Sequence, residues 1–249
     1  MISLCLQCCP LDLSQTFDLV RLICDLEKTK RPETEFWLIY RKDCPLWVAK
    51  DFSRLAGNKF GRAQAFQARN HDTGWPGGSN MLAASAMMEM SILAQQGTCR
   101  NEAYLLFEPD CVPLSFDWMD QLAAEWQLTK AEGKEAFGHW NCPGGYEEHP
   151  ENLHMNGNAV FSASFFDRHQ QWTIGSACQG WDFFYRDKYI SVSRDSYAIQ
   201  QYYNAPSIGL DHLAALTKHE KRPALLHGIK DDSARRGMRQ LLLSPVSAS

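Results

Sequence analysis

The sequence predicts an α/β sandwich in which helices cover both faces of a mostly parallel central sheet. Short apolar runs typical of buried strands alternate with longer helical patterns through the first half of the chain. The chain also opens with a strand, a helix and a second strand, the βαβ arrangement that builds parallel sheets. Ligands of such sheets bind at the carboxyl ends of strands, so polar residues that follow a strand are the candidates for function.

Each predicted element follows from its periodicity or its apolar run. Apolar runs predict strands at 2–8, 35–40, 103–107, 135–140, 223–228 and in the second part of 155–165. Helical patterns predict helices at 14–29, 46–57, 80–96, 115–130 and 179–189, with a helix-compatible polar tail after the last strand. Between an alternating run at 62–69 and the third helix, the Gly- and Pro-rich loop 70–80 ends regular structure.

Composition restricts the class of protein. With 249 residues, 45% of them hydrophobic and 22% charged, the chain can bury a sizeable core, and we expect one compact domain over 1–249. No apolar run approaches the ~20 residues that span a bilayer, and the first residues lack the basic start of a secretory signal, so a soluble cytoplasmic protein without a membrane segment is expected. A formal charge of −4 argues against general attraction to nucleic acid or acidic membranes.

The nine cysteines indicate a reducing compartment, because an odd number scattered over a long chain does not suit a disulfide scaffold. Cys5, Cys8 and Cys9 have the spacing of the start of a zinc site, but no second closely spaced pair follows them. The same residues fit a buried strand, where thiols behave as small hydrophobic groups, and this interpretation is preferred.

The main candidate for chemistry is the segment FEPDCVP, in which Glu108 and Asp110 directly follow a buried strand. Unpaired carboxylates are costly to bury, so a pair at a strand end needs a partner. Oxygen ligands of this kind suit Mg²⁺ or Mn²⁺, which substrate phosphates commonly complete. The alternative is a solvated turn with two acidic residues, and the pair alone does not decide between the two.

The loop TGWPGGSNML supplies a second candidate. Gly77, Gly78 and Asn80 precede a helix, where backbone N–H groups can approach a phosphate, and Arg69 just upstream could face the same group. The loop matches neither the P-loop nor the dinucleotide pattern. An ordinary tight turn and a surface arginine explain the same residues.

The segment HGIKDDS supplies a third candidate, again after a strand. His227 and Lys230 lie three residues apart, with Gly228 allowing a turn between them. A neutral imidazole can complete a Mn²⁺ shell, and an ammonium group can neutralise a leaving diphosphate. A lone histidine is usually structural, so this pair matters only if it joins the carboxylates.

Taken in order, these motifs resemble the nucleotide-sugar-dependent glycosyltransferases of the GT-A fold, a Rossmann-like αβα sandwich. The resemblance rests on GWPGGSN before the strand, EPD after it, HMNGNAVF, GWD and finally HGIKDDS, and it extends from the first strand to His227. It implies transfer of a sugar, as in the hexosyltransferase class, from a nucleoside-diphosphate sugar, most often a UDP-sugar, to a hydroxyl acceptor. It also implies Mn²⁺ or Mg²⁺ as cofactor, a nucleotide-binding part at about 1–114 and an acceptor-binding part at about 115–249.

The resemblance assigns roles to individual residues. The acidic unit of the family, usually DxD, binds a cation that bridges the diphosphate, which implies Asp110 as the direct ligand and Glu108 nearer the ribose or sugar. The first acid here is Glu where the family usually has Asp. His227 resembles the histidine that completes the metal site, and Lys230 the basic residue that contacts the diphosphate. The residues that match the region lining the nucleotide are Gly77, Gly78 and Asn80.

Asp182 in GWDFF resembles the acid that this family places at a helix start. In an inverting enzyme, a carboxylate takes the proton of the acceptor hydroxyl from the face opposite the leaving group. The resemblance therefore implies Asp182 as the catalytic base and an inverting mechanism. A carboxylate that serves the helix dipole is the structural alternative, and a retaining mechanism would not need this base.

The segment HMNGNAVF places short polar side chains around Gly157. His154, Asn156 and Asn158 could hydrogen-bond sugar hydroxyls, although an Asn-Gly hairpin turn explains the same letters. The resemblance favours sugar binding. The aromatic residues that could stack on a sugar or base, although aromatics at such positions more often belong to the core, are Trp140, Trp181, Tyr202 and Tyr203.

The acceptor is the least determined part of the prediction. Seven basic and four acidic residues lie between 211 and 239, a balance that could meet DNA phosphates, although a solvated face is the usual explanation. The compact length also resembles small virus- or phage-encoded glycosyltransferases, some of which modify hydroxymethylated pyrimidines in DNA. Modified DNA, a cell-surface glycan and a protein are therefore the candidate acceptors.

Two other functions compete with this prediction. A nucleotidyltransferase also needs an acidic metal pair, but we expect its first strand to be followed by a Gly- and Lys-rich loop, and CCPLDLSQ contains none. A non-catalytic module that binds sugar nucleotides or glycans would keep the same fold. Replacement of Asp182 separates that module from an enzyme, because only an enzyme has turnover to lose.

Overall fold

The structure is a computed structural model that describes residues 1–69, 73–172, 179–205, 208–219 and 222–243, with the backbone alone at 172 and 203–205. Several predictions fall partly outside these residues. They concern the side chain of Tyr203, the charges of Glu220 and Lys221, and residues 70–72 of the predicted loop.

Three sheets organise the described part of the chain. In chain order the strands are β1 (Ile2–Cys8), β2 (Arg31–Tyr40), β3 (Phe60–Gln67), β4 (Ala103–Phe107), β5 (Val112–Pro113), β6 (Ala136–Gly138), β7 (Trp140–Asn141), β8 (His154–Met155), β9 (Ala159–Ser162), β10 (Ser193–Asp195), β11 (Ile199–Ala205) and β12 (Leu225–Ile229). The largest sheet has seven strands in the order β10-β6-β9-β4-β1-β2-β3. A second sheet has the order β11-β12-β5, and β7 and β8 pair in a third.

The large sheet is mostly parallel, as predicted. Strands β3, β2, β1 and β4 run parallel to one another, whereas β9 runs antiparallel to both β4 and β6. The chain moves outward from β1 to β3 and then returns to place β4 on the other side of β1. This reversal makes the carboxyl ends of β1 and β4 the switch point at which open α/β sheets bind their ligands.

Helices cover both faces of this sheet. In chain order they are α1 (Leu13–Leu26), α2 (Trp47–Ala56), α3 (Gly77–Gln95), α4 (Trp118–Ala131), α5 (Phe165–His169), α6 (Trp181–Phe184), α7 (Arg186–Val192), α8 (Leu210–Lys218) and α9 (Ser233–Met238). The core on one face includes α1, α2 and α4, and the core on the other includes α3, α5, α6 and α7. The predicted α/β sandwich is therefore confirmed.

The alternation of side chains along β1 supplies both cores. Leu4, Leu6 and Cys8 belong to the first core, whereas Cys5 belongs to the second. Cys5 and Cys8 thus point to opposite faces of the sheet and cannot share a zinc ion. The interpretation of this segment as a buried strand is confirmed.

Several boundaries differ from the prediction for local reasons. Helix α1 ends at Leu26, three residues early, because Glu27 is already extended and pairs with Arg31 at the start of β2. Helix α3 begins at Gly77, inside the predicted loop. Strand β11 and helix α8 were not predicted from the sequence pattern. Among the described residues, no helix is long and apolar enough to cross a bilayer.

Candidate functional site

The acidic segment forms the turn that follows β4. The N–H of Cys111 donates to the carbonyl of Glu108 at 3.2 Å, which closes the turn. The N–H of Ile229 donates to the carbonyl of Asp110, also at 3.2 Å, and this bond ties the turn to the end of β12. Residues from the C-terminal part of the chain therefore meet the acidic turn at the carboxyl end of β4.

The side chains of Glu108, Asp110 and His227 form one cluster at this position. Nε2 of His227 lies 3.1 Å from Oε2 of Glu108 and 3.2 Å from Oδ1 of Asp110. One ligand atom from each residue lies within 4.8 Å of the others, a spacing that suits a single cation. The structure thus brings together the two residues that the sequence assigned to a metal, and it adds Glu108, which the resemblance placed nearer the ribose or sugar.

The imidazole of His227 is held from two sides. Nδ1 lies within hydrogen-bonding distance of Oε1 of Gln201 on β11, and Nε2 lies 2.9 Å from Nδ2 of Asn158. In the protonated imidazole, Nε2–H faces the Glu108 and Asp110 carboxylates. In the neutral form with the proton on Nδ1, that proton is donated to the Gln201 side-chain carbonyl, and Nε2 has a lone pair with which it can bind a metal ion. Burial alone lowers the pKa of His227, but the adjacent Asp110 and Glu108 carboxylates raise it to about 9.

Asp110 fits a divalent cation best of the three. Its side chain is 7% exposed, and within the described residues its Oδ1 accepts no hydrogen bond. Burial raises the pKa of Asp110, but the charges of His227 and Lys230 outweigh burial and hold it well below the usual value. A buried anionic oxygen of this kind is satisfied by a hard cation such as Mg²⁺ or Mn²⁺.

Asn158 and Asn156, both predicted site residues, organise the cluster. Oδ1 of Asn158 accepts the N–H of Glu108 at 2.7 Å, and its Nδ2 lies 3.4 Å from the Glu108 carboxylate. Oδ1 of Asn156 in turn accepts the N–H of Asn158 at 2.9 Å. The two buried amides therefore fix the acidic turn against the start of β9, a role that the sequence pattern did not indicate.

Asp182 lies at the start of α6, beside the turn at Gly157. Its Oδ2 accepts the N–H of Gly157 and its Oδ1 accepts the N–H of Phe183, each at 3.0 Å. Burial raises the pKa of Asp182 above its usual value, against the opposing effects of His154 and the Gly157 N–H. Asp182 thus makes the contact at the start of a helix that is expected of a purely structural carboxylate. The same side chain also borders the smaller of the two cavities described next.

Two adjoining cavities meet at the cluster. The larger, of about 620 Å³, lies at the switch point, and its walls include Cys9, Asp12, Arg41, Gly78, Pro109 and Asp110. The smaller, of about 310 Å³, has polar walls that include Asn80, Asn156, Asn158, Trp181, Asp182 and His227. Both cavities are bordered by Gln7, Trp75, Ser79, Glu108 and Lys230. The cluster of Glu108, Asp110 and His227 therefore lies between two cavities that differ in size and polarity.

Trp75 is the main site residue that the sequence analysis missed. Its side chain is 76% exposed and borders both cavities. An indole in this position can stack on the face of a sugar or a base. The tryptophan stands in the motif GWPGG, but the sequence interpretation of that motif used only its glycines.

Asn80 borders the smaller cavity, but its amide is engaged by the protein. Nδ2 donates to the carbonyl of Gln179 at 3.0 Å, and Oδ1 accepts the N–H of Trp181 at 2.9 Å. Asn80 therefore fixes the start of α3 against the start of α6, where Asp182 lies. This contact shapes the cavity without requiring a ligand.

Other predicted residues lie farther from the cluster. Arg69 is paired with Glu89 at 3.3 Å, and Arg69 and Gly77 border neither cavity. Trp140 and Tyr202 also border neither cavity. The indole N–H of Trp140 donates to the hydroxyl of Ser193, and the hydroxyl of Tyr202 contacts Nε2 of His212. The ligand contacts assigned to these residues stay predictions.

The sequence matches no protein-family model, and no curated protein matches it. Solved structures of glycosyltransferases do match the fold. Mouse xyloside xylosyltransferase 1 is 9% identical with a TM-score of 0.54, over 93% of this chain and 98% of that one. The glycosyltransferase GlyE of Streptococcus pneumoniae is 12% identical with a TM-score of 0.54, over 98% and 62%.

The bifunctional glycosyltransferase WbbM is 8% identical with a TM-score of 0.53, over 96% of this chain and 49% of that one. The present chain thus spans about half of WbbM and somewhat less than two thirds of GlyE. At these identities the similarity concerns the fold. The chain has a GT-A-like αβα sandwich whose structural neighbours are glycosyltransferases.

Proposed function

We propose that this chain is a metal-dependent glycosyltransferase, of the hexosyltransferase class, that moves a sugar from a nucleoside-diphosphate sugar to a hydroxyl acceptor. The observation that supports this proposal most is the Glu108, Asp110 and His227 cluster between two cavities at the switch point of a GT-A-like sheet. A cation held there would neutralise the diphosphate and stabilise the charge that develops on the leaving group. Mn²⁺ or Mg²⁺ fits the oxygen-rich donor set, and UDP is the proposed nucleotide.

The larger cavity is proposed to hold the nucleotide. It lies between the ends of β1 and β4, where parallel sheets bind such ligands, and it reaches the cluster through Asp110 and Lys230. The side chain of Lys230 is 53% exposed although its ammonium pairs with Asp110, so the ammonium can also donate to a phosphate oxygen. Gly78 borders the same cavity, where its lack of a side chain allows close approach.

The smaller cavity is proposed to hold the transferred sugar. Amide and carboxylate groups of Asn156, Asn158 and Asp182 line it, and these are suitable partners for hydroxyls. Asp182 would take the proton of the acceptor hydroxyl as the oxygen attacks the anomeric carbon and the bond to the phosphate breaks. This sequence of events inverts the configuration at that carbon.

The acceptor is proposed to enter beside Asp182, from the part of the chain at about 115–249, with the nucleotide held mainly by the part at about 1–114. Modified DNA is a less favoured acceptor, because arginines of the basic segment pair with acidic side chains: Arg222 with Asp117, and Arg236 with Asp232. A glycan or a protein hydroxyl is therefore the preferred acceptor. A reducing, cytoplasmic location is proposed from the odd number of cysteines.

Thermal unfolding with a panel of sugar nucleotides, in Mn²⁺ and in chelator, tests this function directly. A donor that binds only the folded state raises the melting temperature by mass action, and we expect this rise to require the metal. Asp110→Asn should weaken Mn²⁺ binding at least about 100-fold, since loss of groups that merely support a ligand costs 10–100-fold. Asp51→Asn is the matched control, because Asp51 lies on α2, its side chain is 41% exposed and it borders neither cavity.

The outcomes separate the candidate functions. Metal-dependent stabilisation by a donor, with sugar transfer that Asp182→Asn lowers by roughly 10²–10⁴, supports the enzyme. Donor binding that Asp182→Asn leaves intact, without transfer by the wild type to any acceptor, indicates the non-catalytic binding module. An absence of stabilisation by every donor in the panel contradicts both.

A further inference from the structure

Arg235 on α9 is buried although it carries a permanent charge. Its side chain is 1% exposed, and Nε donates to Oδ2 of Asp18 on α1 at 2.8 Å. A buried guanidinium is tolerated only where its charge is paired and its N–H groups are satisfied. The remaining hydrogen-bond acceptors of Arg235 therefore indicate its structural role.

Those other partners are two backbone carbonyls beside the cation cluster. Nη1 of Arg235 donates to the carbonyl of Pro109 at 3.3 Å, and Nη2 donates to the carbonyl of Asp231 at 3.0 Å. Pro109 stands between the two acidic ligands of the turn, and Asp231 follows Lys230 in the chain. One planar side chain thus contacts both segments that supply the cluster.

A backbone hydrogen bond joins the same two segments. The N–H of Ile229 donates to the carbonyl of Asp110, so the acidic turn and the end of β12 are also joined directly. The guanidinium fixes the same two segments from the side of α9 with a rigid fork that lysine cannot reproduce. Small shifts of either segment change the distance between Asp110 and His227.

We infer that Arg235 is a positioning residue that sets the separation of Asp110 and His227, so that cation affinity depends on a side chain that never touches the cation. The inference rests on the proposed metal site. It assigns Arg235 no contact with the nucleotide, because it borders neither cavity. The effect of Arg235 on the distance between Asp110 and His227 can therefore be measured separately from its effect on the stability of the fold.

Mn²⁺ titration followed by electron paramagnetic resonance, on variants held well below their melting temperatures, tests the inference. Arg235→Lys keeps the charge but cannot reach all three acceptors, and we expect its Mn²⁺ dissociation constant to rise about tenfold or more. Arg236→Lys is the matched control, because Arg236 is the next residue on α9, is 64% exposed and pairs with Asp232. Its dissociation constant should equal that of the wild type.

A second control removes general instability as an explanation. Val48→Ala in the core of α2 lowers the melting temperature without touching the cluster, and it should bind Mn²⁺ as the wild type does. A metal-free readout accompanies these titrations. The imidazole ¹⁵N resonances of His227 should shift in Arg235→Lys and stay in place in Arg236→Lys and Val48→Ala.

The outcomes distinguish this inference from the proposed function. If folded Arg235→Lys binds Mn²⁺ as tightly as the wild type, or if Val48→Ala loses affinity equally, the inference is overturned. If the wild type binds no Mn²⁺, the proposed function fails. The ¹⁵N resonances of His227 are then the remaining test of whether Arg235 positions the cluster. Unchanged resonances in Arg235→Lys overturn the positioning role as well.

Discussion

The ammonium of Lys230 lies 2.6 Å from Oδ2 of Asp110, while Oδ1 of the same carboxylate lies 3.2 Å from Nε2 of His227. The two oxygens of Asp110 therefore have separate neighbours. Oδ1 faces the cluster, and Oδ2 faces a lysine that borders both cavities. This division predicts opposite effects of Lys230 on the metal and on the reaction.

Lys230→Gln should tighten Mn²⁺ binding by a few-fold, because the change removes a positive charge next to Asp110, the proposed metal ligand. The same change should lower the rate of transfer by roughly 10²–10³, the usual effect of losing a group that stabilises a leaving anion. Metal titration and initial rates check the two effects. Lys218→Gln, the same charge change at a residue that borders neither cavity, should alter neither.

Gly228 should not tolerate a side chain. Its φ of +91° is in the left-handed region, and an added Cβ would overlap the carbonyl oxygen of Tyr202 on β11. Gly228→Ala should therefore displace His227, weaken Mn²⁺ binding at least about tenfold and destabilise the fold by more than the ~1–3 kcal/mol of backbone strain alone.

The control for this prediction is Gly145→Ala. Gly145 has the same φ of +91°, but among the described residues, its two chain neighbours aside, no other residue has an atom within 4 Å of an added Cβ. Chemical denaturation of the two variants thus separates strain from overlap. Equal losses of stability in both, with Mn²⁺ affinity retained in Gly228→Ala, would contradict the close approach of β11 and β12 at this point.

The rate of transfer should fall at acidic pH with a midpoint above the usual value of ~3.9 for an aspartate. Burial raises the pKa of Asp182, so its base form appears at a higher pH than in an exposed carboxylate. A pH profile of kcat/KM checks this. Asp182→Asn should lower kcat by roughly 10²–10⁴ and remove this acidic limb from the residual rate. An identical limb in the variant would assign the titration to another group.

Trp75→Ala should raise the KM of the donor or the acceptor about tenfold, within the ~1–3 kcal/mol that stacking on an aromatic ring contributes. The melting temperature should change little, because the side chain is 76% exposed. Tyr146→Ala is the matched control, since this tyrosine is 63% exposed and borders neither cavity. Equal kinetics of wild type and Trp75→Ala would exclude stacking.

The sequence was sufficient to predict the sheet and the meeting of Asp110 with His227. Buried strands have short, continuous apolar runs that can be recognised from neighbouring residues alone, and the rule that ligands bind at the carboxyl ends of parallel strands then places EPD at the site. The resemblance added His227, and strand β12 carries it to the same edge.

The supporting residues could not be predicted in the same way. Gln201 and Arg235 reach the cluster through contacts with residues far away in the sequence, and no pattern in their own sequence neighbourhood identifies them. Asn158 was identified for its polarity, but its contact with the N–H of Glu108 depends on the pairing of β9 with β4. Local patterns identify groups that carry chemistry, whereas the groups that orient them follow from topology.

The order of the cluster along the chain has a consequence for synthesis on the ribosome. The acidic turn emerges with β4, while the imidazole and the guanidinium that stabilise it arrive only with β12 and α9. Until β12 is complete, the carboxylate of Asp110, which is 7% exposed in the folded chain, lacks the imidazole and the ammonium that lie beside it. The switch point should therefore reach its final form only after the C-terminal segment has been made.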